Sequence, residues 1–388
     1  MQEYTIRPVG YPLAVLVLGN CNTRPFLLLV IQNALSLLNI SLLVLWWATR
    51  VKSKNSGWLL PIILVLSFPA QLIYANAVMS EVMLQTLVVT IVAAGLAFIK
   101  SGKGQYFAAV ALAMVIAMLL KPIFYPSALV LLGISVVLAW RRRKPQLALI
   151  GLMPVVALGL YMEWNYIRTG YFHFSSIAEI NLLHYNAAGV VRQVDGPAAE
   201  DKWVAAVLTE ANQKPDFASR QRFIQYQARA VLWEHPGVYA RQHLQGMVAL
   251  FLDPGRFDIS QFLGLAAPTE GGFLAQARTG GILRAVQRLP VGMIAFLSLM
   301  LMANSVRLAL AVRGFIRLNS YGPTLRHGRW VVLGILLYVA LLTGPLGAAR
   351  FLVPVWPLLL GLSLVGLGGQ GPLPISLYAK ETAPISKG

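Results

Sequence analysis

Four ionisable side chains stand where apolar stretches begin or meet. They are Arg7 in Arg7-Pro8-Val9-Gly10-Tyr11-Pro12, Glu81 in Met79-Ser80-Glu81, Lys121 in Leu120-Lys121-Pro122, and Arg350 in Ala349-Arg350-Phe351. Ionisable groups at membrane depth are costly, and those that occur there commonly serve function. A carboxylate such as Glu81 can orient a hydroxyl or a sugar. An ammonium and a guanidinium can compensate a phosphate leaving group. Each residue also has a purely structural reading. Ser80-Glu81 resembles a helix start, with a serine cap and an acid favoured by the helix dipole. Lys121 can snorkel to lipid headgroups, and Arg7 and Arg350 can be interfacial arginines. His173, His184, His235 and His243 show no metal-ligand spacing. No glycine-rich phosphate loop is present, which argues against nucleotide-sugar or ATP chemistry.

The elements that must position these residues are membrane spans. Of 388 residues, 57% are hydrophobic and 12% charged, about half the charged fraction of a soluble domain. Apolar runs predict nine spans at about 25–47, 58–78, 83–99, 106–120, 123–140, 147–163, 288–312, 330–347 and 351–368. Basic residues gather in every second connection: Arg50/Lys52/Lys54, Lys100/Lys103, Arg141-Arg142-Arg143-Lys144, and Arg313/Arg317/Arg326/Arg329. The positive-inside rule places those connections in the cytoplasm and the other ends outside, in the cytoplasmic membrane. Arg7, Glu81, Lys121 and Arg350 then all belong to the outer side. The net charge of +18 comes largely from these short loops, so nucleic-acid binding is not expected. One cysteine, Cys21, cannot form an internal disulfide, and residues 1–12 lack the pattern of a cleavable signal peptide.

The fold class predicted is therefore an all-α, multi-pass membrane protein with four parts. Residues 1–163 form an N-terminal membrane region with an external Arg-Pro loop. Residues 164–287 form an external, mostly helical domain, 288–368 a C-terminal membrane region, and 369–388 a cytoplasmic tail. The external segment holds ten of the fourteen Asp and Glu residues and eleven Lys and Arg, so it is nearly neutral. A charged, amphipathic run over 218–233 predicts a helix, ended by Pro236-Gly237, with a second helix beginning near Val238. The run 247–252 before Asp253-Pro254-Gly255 is expected to return to the bilayer surface.

Taken together, these motifs resemble a known family. Arg7-Pro8-x-Gly10-Tyr11-Pro12 is similar to the external-loop motif of the GT-C glycosyltransferases, in the branch of protein O-mannosyltransferases and lipid A aminoarabinose transferases. Ser80-Glu81 resembles that branch's second external loop, and Lys121-Pro122 its phosphate-contacting base. Arg350-Phe351-x-x-Pro354-x-x-Pro357 resembles its late signature, and Glu234-His235-Pro236-Gly237-Val238-Tyr239 a pattern of bacterial members. The resemblance implies a GT-C-like helix bundle that transfers a sugar, with inversion, from a polyprenyl-phosphate carrier to a glycan, lipid or protein acceptor outside the membrane. It implies Glu81 as a catalytic residue and Arg7, Tyr11, Lys121 and Arg350 as substrate-binding residues. It implies no particular cofactor and leaves a divalent metal open. In that family an acid upstream of the Arg-Pro motif acts as base or orients the acceptor. Here the only upstream acid is Glu3, in a different context, so one helix and an acidic loop are expected to be missing before Met1. Two alternatives stay open: an O-antigen ligase or polymerase using a diphosphate-linked donor, and a lipid or sugar transporter.

Overall fold

The computed structural model describes residues 7–19, 25–51, 57–255, 258, 259, 262 and 291–368. Glu3, the basic residues Lys52 and Lys54, most of 256–290 and the tail 369–388 lie outside them. All regular structure among the described residues is helical. Seven helical stretches there are long and apolar enough to cross a bilayer: Phe26–Thr49, Glu81–Ser101, Pro122–Arg142, Gln146–Thr169, Val291–Ser320, Pro323–Leu346 and Ala349–Leu367. Large apolar side chains face outward along them, including Leu37, Leu45, Leu149 and Leu160, as a hydrocarbon solvent requires. The chain is thus a helical protein of multi-pass membrane character.

The helices are α1 (Gly10–Gly19), α2 (Phe26–Arg50), α3 (Leu59–Leu66), α4 (Pro69–Ala75), α5 (Glu81–Ser101), α6 (Gly104–Leu120), α7 (Ser127–Arg142) and α8 (Gln146–Thr169). Two elements differ from the expected spans. The stretch 58–78 is divided between α3 and α4, because the residue before a proline is pushed out of the α region. Phe68, before Pro69, has φ −126° and ψ 80°. The span expected at 106–120 is α6, whose 17 residues fall short of the ~20 that cross a bilayer unaided. The segment 1–24, expected as a connection, contains α1.

The segment expected to be external continues as α9 (Ile177–Asn181), a π-helical turn Leu182–Ala187, α10 (Ala188–Asp195), α11 (Pro197–Asn212), α12 (Phe217–Glu234) and α13 (Pro236–Leu252). The helix predicted over 218–233 is α12. It is capped by Asp216, whose carboxylate accepts the Ser219 N–H at 2.7 Å. Leu183, Val207, Ala211 and Ile224 make a small core of its own. In α9, Glu179 is buried and accepts the Tyr171 hydroxyl at 3.0 Å, and burial pushes its carboxyl above the usual carboxylate range.

Three further helices complete the bundle: α14 (Val291–Arg317), α15 (Pro323–Thr343) and, after the short α16 (Ala349–Leu352), α17 (Trp356–Leu367). Every residue from Trp356 to Gly366 is buried. A helix apolar on all faces belongs at the centre, and α17 is there. Trp356 stacks on Phe68 at 4.2 Å, and Trp47 Nε1 donates to the Leu364 carbonyl at 2.7 Å. Backbones touch where glycine allows it. A Cβ on Gly314 would stand 1.9 Å from the Leu362 oxygen, and one on Gly347 would stand 1.8 Å from the Gly246 oxygen. The second contact fastens α13 to the loop before α16.

Gly347→Val is therefore expected to destabilise the protein by about 1–3 kcal/mol or more through overpacking. Gly133→Ala, where a Cβ meets nothing within 4 Å, is expected to leave thermal unfolding in detergent unchanged or raise it. Equal melting temperatures for Gly347→Val and wild type would contradict the close approach. A second expectation concerns Glu179. Its raised folded-state pKa means the folded form holds the proton more tightly than the unfolded form. Stability is then lost as pH rises from the ordinary Glu value through the raised one. Glu179→Gln should remove that loss, flattening the pH dependence of unfolding above pH ~5; an unchanged slope would refute it.

Candidate functional site

Three of the residues singled out by the sequence meet at one carboxylate. Glu81 opens α5, directly after the bend at 76–80 that follows α4, and is fully buried. Lys121, between the end of α6 and the 3₁₀ turn Pro122–Phe124, donates from Nζ to Glu81 Oε1 at 2.9 Å. Arg350, in the first turn of α16, donates from Nε to the same oxygen at 2.6 Å. Their side chains remain 15% and 32% exposed, whereas that of Glu81 is 0% exposed. The cations thus face the open side, and the carboxylate lies behind them. Glu81 Oε2 is buried with no hydrogen-bond partner among the described residues.

Aromatic rings frame the cations. Phe351 lies 5.0 Å from Lys121 Nζ and 5.7 Å from the Arg350 guanidinium carbon, and the Tyr74 ring lies 5.9 Å from the latter. Arg7 is exposed at the start of α1 and within electrostatic range of Lys121 and Tyr11. It takes part in none of the ion pairs among the described residues. Tyr11 is buried, and its hydroxyl donates to Gln32 Oε1 at 3.2 Å. Gln32 in turn donates to the Ala77 carbonyl at 2.7 Å. Tyr11 therefore holds α1 against the bend that leads into Glu81. Helix α1 also lies tight on α6, since a Cβ on Gly10 would meet the Leu119 oxygen at 2.6 Å.

A set of polar side chains that the sequence reading passed over fixes the register of these elements. One turn below Glu81, Gln85 donates to the Val353 carbonyl at 2.6 Å and to Gln71 Oε1 at 2.8 Å. Gln71 donates to Ser36 Oγ at 2.7 Å. This ties α5, α4, α2 and the turn after α16 together. Asp253 Oδ2 accepts the Ala349 N–H at 2.7 Å, beside Arg350. Asp258 Oδ1 accepts the Tyr74 hydroxyl at 2.5 Å. Burial raises both aspartates above the usual range. Behind them, the break between α3 and α4 leaves the Ser67 carbonyl free, and Arg307 fills it. Arg307 Nη2 donates to Ser67 O at 2.8 Å and Nη1 to Asn304 Oδ1 at 2.5 Å, while Asn304 donates to the Asp253 carbonyl at 2.9 Å. Arg307 is a charge inside an apolar span, which was the available signal. The glutamines gave a weaker one, as polar residues within apolar helices.

His173 is buried, with Nδ1 2.7 Å from the Tyr171 carbonyl, and His243 Nε2 lies 2.8 Å from the Leu341 carbonyl. Among the described residues, no group of three or more His, Cys, Asp or Glu side chains is arranged to hold a metal.

Chemically, Lys121 and Arg350 share one carboxylate with Arg7 in electrostatic range, while Asp258 lies beneath Arg350 as a second acidic group. Such an arrangement suits an anion with more than one oxygen, which can displace part of the internal pairing. No family model, curated protein or solved structure matches the chain.

The ion pairs predict an order of stabilities. Glu81→Gln leaves two partly buried cations without the carboxylate they share, an effect of about 3–5 kcal/mol for a broken buried pair. Lys121→Met leaves Glu81 still paired with Arg350, so its loss should be smaller. Thermal unfolding of the purified variants measures this; Lys121→Met melting below Glu81→Gln would contradict the shared oxygen.

Proposed function

We propose that the chain is a GT-C-like membrane glycosyltransferase. It moves a sugar from a polyprenyl-phosphate carrier to a glycan, lipid or protein acceptor at the outer face of the cytoplasmic membrane, with inversion. The observation that carries this proposal is the convergence of Lys121 and Arg350 on buried Glu81, with Arg7 in electrostatic range. In the reaction the acceptor oxygen attacks the anomeric carbon, the carbon–oxygen bond to phosphate breaks, and the polyprenyl phosphate leaves with one more negative charge. Lys121 and Arg350 compensate that charge where it develops.

Glu81 is clamped by two cations, both on Oε1. Its role is to hold both cations in place until the phosphate arrives. The acceptor proton then goes to another carboxylate. Asp258 is suited to take it, because it hydrogen-bonds Tyr74 beneath Arg350 and burial raises its basicity.

The test is transfer by the full chain in proteoliposomes, from a sugar linked to polyprenyl monophosphate or to polyprenyl diphosphate. Product from the monophosphate donor is expected. Product from the diphosphate donor alone would favour a ligase or polymerase, and sugar flux without product a transporter. A charge-assisted contact to phosphate contributes ~1.5–3 kcal/mol. Lys121→Ala should therefore weaken transfer by roughly ten- to a hundredfold, with Lys121→Arg retaining part of it. Asp258→Asn should lower kcat while donor binding holds. Unchanged donor affinity in folded Lys121→Ala would overturn the role of Lys121.

A further inference from the structure

Toward the end of the bundle opposite Glu81, helices α2, α5, α15 and α17 leave a cavity of about 300 Å³ that runs from Asn39 in mid-bundle to Arg329. Its size is that of a small ligand site, but its chemistry is not that of a polar ligand. Leu42, Trp46, Leu96, Val332 and Leu358 are among its walls, and the charge on its lining is Arg329. It opens sideways, since Leu42 and Ala93 on its rim are exposed. In a span-forming helix that side faces hydrocarbon.

Arg329 is held, and among the described residues no carboxylate pairs with it. Its guanidinium lies 4.8 Å from the Phe315 ring and 5.3 Å from the Trp330 ring. Nη1 donates to the Phe315 carbonyl at 3.2 Å, while Nε is buried with no partner among the described residues. No carboxylate occurs in the described connections at this end, which carry Lys100, Lys103, Arg141, Arg142, Arg143, Lys144 and Arg326. A fixed guanidinium above an apolar cleft, among connections that carry basic residues, suits an anion with a hydrocarbon tail.

We propose that this cleft binds one anionic membrane phospholipid, with its phosphate on Arg329 and one acyl chain between α2 and α15. Beside it lies exposed Trp330, a residue type enriched where a bilayer meets water. The site is separate from the Glu81 cluster. A lipid whose phosphate rests on Arg329 cannot place the same phosphate on Lys121, at the other end of the bundle. The proposal stands whether or not the chain transfers sugar.

The test is native mass spectrometry of the full chain in detergent, titrated with phosphatidylglycerol or with phosphatidylcholine of the same acyl chains. One phosphatidylglycerol should be retained in preference to phosphatidylcholine by about fivefold, the weight of one basic side chain against an anionic headgroup. Arg329→Gln should abolish the preference and Arg329→Lys keep most of it. Ala93→Trp, which fills the rim, should lower retention of both lipids. Melting temperatures near wild type establish that the variants are folded. Equal retention of the two lipids by wild type, or an unchanged preference in Arg329→Gln, would overturn the proposal. So would displacement of the bound lipid by inorganic phosphate alone, or by polyprenyl phosphate at equal concentration.

Discussion

A carboxylate with no solvent exposure in an apolar bundle needs a counter-charge, and Glu81 has two. The partners lie 40 and 269 positions away in the chain, so one oxygen atom sets the relative placement of α5, the end of α6 and the start of α16. Much of the surrounding structure serves that arrangement. Gln85 holds the next turn of α5 to the Val353 carbonyl, Asp253 holds the residue before Arg350, and Tyr11 with Gln32 braces the bend ahead of Glu81. Hydrogen bonds of this kind are directional and leave little freedom to slide. The two cations are therefore held in position before any ligand enters.

Arg307 and Arg350 show how differently a bundle can treat the same side chain. Arg307 is 1% exposed and is met by neutral oxygens and by the Trp356 face at 4.4 Å. Its charge is dispersed over dipoles, and it serves to close the break made by Pro69. Arg350 keeps a third of its side chain open and meets a full negative charge. The first arrangement is fixed in place. The second can exchange one anion for another, which is what a binding site needs.

How much of this was legible in the residues follows from what each feature depends on. Helical spans depend on local apolarity, and most of them lie where apolar runs put them. The meeting of Glu81, Lys121 and Arg350 was legible because alternating basic connections assign each of them to the same end, and a charge there must find a partner. The split at Ser67-Phe68 was written in Pro69 but hidden by the apolarity on both sides of it. Gln32, Gln71, Gln85, Asp253 and Asp258 were not legible as a network. Their partners depend on helix rotation and on contacts across long separations, neither of which leaves a periodic trace. Tyr11 shows the same limit from the other side. Its motif drew attention, but only the packing of α1 shows that its hydroxyl is spent on Gln32.

The burial of α17 on every face has a consequence for how the protein is made. Among the described spans this helix comes last in the chain, yet it fills the middle. During synthesis the earlier helices leave the ribosome before the helix that packs between them in the finished fold. Only when α17 packs there does Trp47 gain its acceptor at Leu364 and Glu81 gain Arg350. Until then Glu81 has Lys121 alone. Completion of the bundle and completion of the charged cluster are one event, so an assembly intermediate would carry half of the cluster.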